Sequence, residues 1–188
     1  MSIAGIILTS GSGLAADTPA TATSSQEALM DRGKAIVQQA FDLLSTNLAT
    51  ALKNGGISNA LPYCSVAAAP LTKMTGDIRQ VTLKRVTHKP RNLTNRASKQ
   101  ELAVIRRFQN ALDQGTTPTS VLVTNELNKV TFLAPIVIQN ELCLQCHGRP
   151  GQELKSETLN LVRSLYPKDE ATGFKMGDLR GMWRVDFP

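Results

Sequence analysis

Between residues 24 and 52 the apolar positions Leu29, Ile36, Val37, Ala40, Phe41, Leu44, Leu48 and Leu52 recur at spacings of three, four and seven. Residues so spaced share one helical face, which predicts a long N-terminal helix with a single apolar stripe. Ser24, followed by Glu27, has the form of a capping box and predicts where the helix opens, and Asn54-Gly55-Gly56 predicts where it stops. A shorter helix is predicted next, with Pro62 near its first turn and Cys64, Ala67, Ala68 and Leu71 on one face; Pro70 is expected to kink or end it. Residues 78–86 are rich in β-branched side chains with partial alternation and read as a strand, followed by a polar loop over 88–97 that contains Pro90.

Ser98 and Glu101 form a second capping box, and Leu102, Ile105, Phe108 and Leu112 give the next amphipathic helix, which Gly115 ends. Strands are predicted over 120–124 and 130–138, with residues 125–129 turning between them as a hairpin. A helix over 156–165, a loop over 167–177 and a final strand around 182–187 complete the order. Helices first, then strands with interposed helices, argue for an α+β domain with an antiparallel sheet. No internal repeat is visible.

Between the hairpin and the later helix lies Cys143-Leu144-Gln145-Cys146-His147. Cys-x-x-Cys-His is the attachment pattern of a c-type haem. On a helical turn the two cysteines, three apart, point to one side, and the histidine four after the first shares that side. Two thioethers can then hold a porphyrin edge while His147 reaches the iron. A zinc site would need two further ligands from Cys64, His88 or His147, and no second paired motif exists. A thioredoxin-like dithiol would follow the first strand of a βαβ unit, which this order does not match, and a plain disulfide or inert thiols is the remaining alternative.

One motif implies one haem. For the sixth iron position the residues alone leave several candidates: His88, which sits in a basic loop and reads as a surface residue; Met74, Met176 and Met182, each also suited to core filling; and Cys64, the odd cysteine.

Composition supports this picture in part. The 188 residues are 41% hydrophobic and 19% charged, which suits a soluble domain with its own core over 26–188. Aromatics are only 4%, so Leu, Val, Ile and Ala, or a bound flat apolar ligand, must fill that core. The net charge of +6 is spread out, with no basic run dense enough for nucleic acid and few aromatics to stack on bases. Two haem propionates would offset part of it, and the rest would steer an acidic partner protein. No apolar run is long enough to cross a bilayer.

Residues 1–16 read as the remnant of an export signal, with apolar Ile3-Ala4-Gly5-Ile6-Ile7-Leu8 and small Gly13-Leu14-Ala15-Ala16, although the first basic residue is Arg32. Residues 17–25 read as a flexible leader. Haem attachment of this type takes place outside the cytoplasm, so the periplasm or thylakoid lumen is the expected location.

Several segments taken together resemble a known family. They are Pro62-Tyr63-Cys64-Ser65 with Ala69-Pro70; Arg91-Asn92-Leu93-Thr94-Asn95 with Glu101; Pro135-Ile136 leading to the cysteine motif and Gly148; Tyr166-Pro167-Lys168-Asp169-Glu170-Ala171-Thr172-Gly173; and Gly177-Asp178-Leu179-Arg180-Gly181. In order and content they resemble the single-haem c-type proteins with a PAS-like α/β fold, found as free-standing exported or cyanobacterial cytochromes and as sensor domains of signalling proteins. The resemblance implies a five-stranded antiparallel sheet flanked by helices, and an iron held by His147 and Cys64. It also places Arg91 and Asn95 in the haem environment, with Arg91 near a propionate. Leu93 departs from the pattern, which usually has proline there.

A thiolate opposite an imidazole favours ferric iron and hence a low reduction potential. The first functional expectation is therefore a low-potential electron carrier acting with a redox partner protein. The alternative is a redox or diatomic-gas sensing module in which Cys64 leaves the iron on reduction. A haem peroxidase comes third, because no distal acid-base set marks it.

Overall fold

The computed structural model describes residues 20–188, with side chains from Ser24 onward. The export-signal reading of residues 1–16 lies outside the described residues. The first helix, α1 (Ala20–Lys53), starts ahead of the Ser24 capping box, so the end of the supposed leader is helical. No Pro or Gly stands between Ala20 and Met30, and a helix nucleated on its packed stretch propagates at little cost through alanine-rich sequence.

The second helix, α2 (Gly56–Ile78), corrects two expectations at once. It contains both Pro62 and Pro70 and runs through them. Pro70 is exposed and Val66, one turn earlier, is 71% exposed, so the carbonyl that loses its donor faces water. The helix also takes Ile78, leaving the left-handed Gln80 (φ 54°) to turn the chain, and the strand β1 (Thr82–Val86) is shorter than 78–86.

A 3-10 turn, Leu93–Asn95, sits in the following loop, and α3 (Lys99–Asp113) opens on the Ser98 and Glu101 capping box as predicted. Strands β2 (Val121–Thr124) and β3 (Val130–Val137) form the expected hairpin, and the Asn125 side chain accepts hydrogen bonds from the Leu127 and Lys129 amides in its turn. Helices α4 (Glu141–His147) and α5 (Ser156–Leu165) and strand β4 (Leu179–Asp186) complete the described chain.

The strands form one antiparallel sheet in the order β1-β4-β3-β2. The α+β class holds, but the sheet has four strands among the described residues, where the resemblance implied five. Beyond β1 the chain makes only a single-residue bridge, Thr87 to Arg96, because Pro90 has no amide to donate and the 3-10 turn takes the next stretch out of extended geometry.

Alternating side chains divide the core between the two sheet faces. Ile36 and Ala40 of α1 pack on Leu83, Phe132, Trp183 and Val185. Ile105 and Phe108 of α3 pack on Val86, Leu133 and Met182 on the other face. A smaller cluster of Ile138, Leu144, Ala171 and Phe174, touched by Cys143, anchors α4 at the sheet's end.

Candidate haem site

The cysteine motif folds as expected, as one short helix. Asn140 caps α4 by accepting from the Leu142 amide at 2.8 Å, and Gly148 closes it, donating its amide to Leu144 O at 2.8 Å. A methyl group at Gly148 would fall against that same carbonyl and against Glu153 Cβ at 2.8 Å, so the residue after the histidine has room only for glycine. Cys143, Cys146 and His147 are each half-buried, and the three cysteines, Cys64 included, are free of disulfides.

His147 is fixed by a strap formed from residues 169–174. Its Nδ1 lies 2.8 Å from the Ala171 carbonyl, which can only accept, so Nδ1 carries the proton and Nε2 is the nitrogen with a lone pair to offer. The Phe174 amide donates to His147 O at 3.0 Å and the Gly173 amide to Gly148 O at 2.8 Å. The Phe174 ring stands edge-on to His147. Burial, and then the charges of Arg180 and Arg91, hold the imidazole well below its usual range, against the Ala171 hydrogen bond. It is neutral at physiological pH, the form a metal binds.

Arg91 joins the strap to α4. Its Nε pairs with Asp169 Oδ1 at 3.0 Å and its Nη2 donates to Cys146 O at 2.6 Å, while both members of the ion pair are nearly enclosed, with side chains 11% and 5% exposed. Lys89 Nζ donates to Thr172 O at 2.6 Å, and the Glu170 amide to Pro90 O at 2.9 Å. Asn95 holds this loop through its backbone, its carbonyl accepting from Thr87 N at 2.9 Å. No side-chain contact among the described residues ties it to the cysteine turn. Where Leu93 replaces the usual proline, Asn92 shapes the turn instead, accepting from both the amide and the hydroxyl of Thr94.

Cys64 comes to the same cluster from α2. Burial raises its thiol pKa, and the Arg85 charge opposes that rise. The Cys64 charge is felt in turn at Cys146 and Tyr166, and Arg85 also acts on His147. Burial likewise pushes the Cys146 thiol up, against the pull of Arg91. The other candidates for a sixth ligand are placed differently. Met182 is fully buried in the α3-side core, while Met74 and Met176 are exposed. His88 is half-buried rather than on the surface: its ring stands edge-on to Phe174, its Nε2 is 3.4 Å from Gln109 Nε2, and its Nδ1 is buried without a partner.

Three members of the cluster went unassigned in the sequence: Arg85, Arg180 and Asp169. Alternation carried a signal for Arg85, since it shares a strand face with the core residue Leu83 and a cation there is out of place. Arg180 Nε is a second buried donor without a partner.

The donor set suits a haem. Two thiols and an oriented imidazole share one helical turn, a further thiol approaches from another element, and buried cations face them. Among the described residues no three His, Cys, Asp or Glu side chains gather closely enough to hold a bare metal ion.

Among solved structures, the chain is similar to the cyanobacterial heme-protein Tll0287, with a TM-score of 0.60 and 21% identity, over 92% of this chain and 97% of that one. No curated protein matches it. The model of the Tll0287-like family matches residues 17–188, which takes in every element from α1 to β4, and the chain therefore belongs to the Tll0287-like family.

Proposed function

We propose that this protein is a single-haem c-type cytochrome that carries electrons at low potential, exported to a periplasm or thylakoid lumen. Cys143 and Cys146 supply the thioethers, and His147 and Cys64 the axial ligands. The observation that carries the reading is the state of His147: Nδ1 is committed to Ala171 O, so the ring is aimed and its Nε2 offered on the same helical turn as both sulfurs. The solved structure it resembles is described as a heme-protein, which supports the same cofactor.

A covalently held iron porphyrin supplies one-electron chemistry when bound. The chain's own residues set its conditions. Cys64 loses its proton to serve as a ligand, and Arg85 beside it offsets the thiolate charge. The resulting thiolate favours the ferric state.

Protein made with a c-type maturation system should gain the mass of one haem, give a pyridine haemochrome typical of two thioethers, and show a low-spin thiolate signal by electron paramagnetic resonance. Cys64→Ser should move the Soret band and raise the potential. An unchanged spectrum would remove Cys64 from the iron.

One observation favours a sensor as the second reading. Burial disfavours a charged sulfur at Cys64, so that residue would be the weaker-held of the two proposed iron ligands and the one a sensor could release. Rapid carbon monoxide binding to the reduced protein would support the sensor, and a six-coordinate ferrous form that ignores the gas would support the carrier.

A further inference from the structure

Three guanidinium groups, those of Arg85, Arg91 and Arg180, act electrostatically on His147, and Arg91 touches the cysteine turn itself. Arg180 feels the charges of Arg91 and Arg85, and Asp169 is the one carboxylate acting on it. Arg91 is already paired with that carboxylate and with the Cys146 and Ala171 carbonyls. The other two have no acid. Arg85 lies over the Trp183 ring, 5.7 Å from its centroid, and makes no ion pair or hydrogen bond among the described residues. Arg180 donates through Nη1 to Thr87 Oγ1 at 3.1 Å and Lys89 O at 3.2 Å and lies over Phe174, while its Nε is buried and unpartnered.

A cation held away from water without a counter-charge is unfavourable, and the buried, unpartnered Nε of Arg180 beside the half-buried Arg85 marks a place where an anion would be bound. Burial and the two neighbouring cations push the Arg180 guanidinium down to about 9, a penalty that an anion within the cluster removes. With Asp169 taken by Arg91, Arg180 has no anion of its own among the described residues, and Arg85 has only the Cys64 sulfur proposed above as a thiolate. Arg85 and Arg180 act electrostatically on His147, and Arg85 on Cys64, so the missing anion belongs beside both proposed axial ligands. The haem has two propionates to bring there.

We propose that Arg85 and Arg180 are the carboxylate-binding residues of this site and receive the two haem propionates, with Arg91 acting as a brace for the cysteine turn. This assignment rests on the cytochrome reading above. It replaces Arg91, the residue the sequence pointed to, because the hydrogen bonds of Arg91 already go to protein acceptors.

The test uses the full haem-loaded chain with 13C-labelled propionate carboxyls. The charged and titratable groups around them are Arg85, Arg91, Arg180 and Lys89, with Asp169, Tyr166, Cys64 and His147. In the wild type both propionates should titrate below the ordinary carboxylate range of about pH 4 to 5, and the midpoint potential should be flat from about pH 5 to 8. In Arg85→Gln and in Arg180→Gln one propionate should titrate at higher pH. The potential should then fall as pH rises through that titration, since an ionised carboxylate favours ferric iron. Lys84→Gln, on the opposite face of β1, should leave both readouts unchanged. Wild-type propionates titrating in the ordinary range, or Gln variants that titrate like the wild type, would overturn the assignment. If the variants take up no haem, the wild-type titration alone decides. A wild-type chain with no haemochrome overturns the underlying cytochrome reading, which the loading assay reads separately from the titration.

Discussion

Arg91 draws three segments to one guanidinium: its own loop, the carbonyl of Cys146 at the end of α4, and Asp169 in the strap. Arg91→Gln would leave the Asp169 carboxylate enclosed without its counter-charge, an effect of about 3 to 5 kcal/mol. Urea denaturation should show that loss, and Arg91→Gln with Asp169→Asn should recover part of it; equal stability of the single variant and the wild type would refute the brace. Lysine should not restore it, because a point charge cannot reach the carboxylate and a carbonyl in one plane. The sequence pointed to Arg91 as a site residue through its family pattern. Its carboxylate partner, 78 positions away, has no local signature.

Elements that carried their own punctuation were legible. The Ser98 and Glu101 cap and the Asn125 turn are interactions within four residues, so α3 and the hairpin follow from sequence. Helix α2 was legible as far as Pro70 but not beyond it, because the cost of that proline depends on whether the orphaned carbonyl meets water, a matter of tertiary exposure. The first strand came out shorter than predicted for a similar reason, its opening residues being drawn into the end of α2 and the turn at Gln80.

Packing between elements is tightest where α1 crosses β3. A methyl group at Gly33 would land inside the Phe132 ring, and Phe132 is 0% exposed and has nowhere to turn. Gly33→Ala gains up to about 1 kcal/mol in helix propensity, yet overpacking of about 1 to 3 kcal/mol should outweigh it. A lower melting temperature is expected, and a higher one would show that α1 can shift away from the sheet.

Across the whole molecule, stability should depend on pH through Glu101, a buried carboxylate that joins α3 to β4 by its bond to Arg184 at 2.7 Å. Burial alone would raise its pKa, but the Ser98 amide and Arg184 more than offset that and hold it below the usual value. A carboxyl depressed in the folded state adds stability that is fully present above the unfolded value, about pH 4.3, and is lost as pH falls through the folded one. Glu101→Gln should therefore flatten the acid limb of a stability-pH curve and lower its neutral plateau. An acid limb as steep as that of the wild type would assign the loss to other groups.

Strand β4 runs between β1 and β3, although it follows every other strand in the chain. Until residues 179–186 emerge from the ribosome, β1 has no neighbour to pair with, and the β2-β3 hairpin lacks its inner partner. Closure of the sheet is then a late, long-range event, the kind that slows folding. During that interval α4, already synthesised, lacks the closed sheet end that Ile138 and Leu144 pack beside. The strand order thus makes the setting of the cysteine turn against its neighbours a late step rather than an early one.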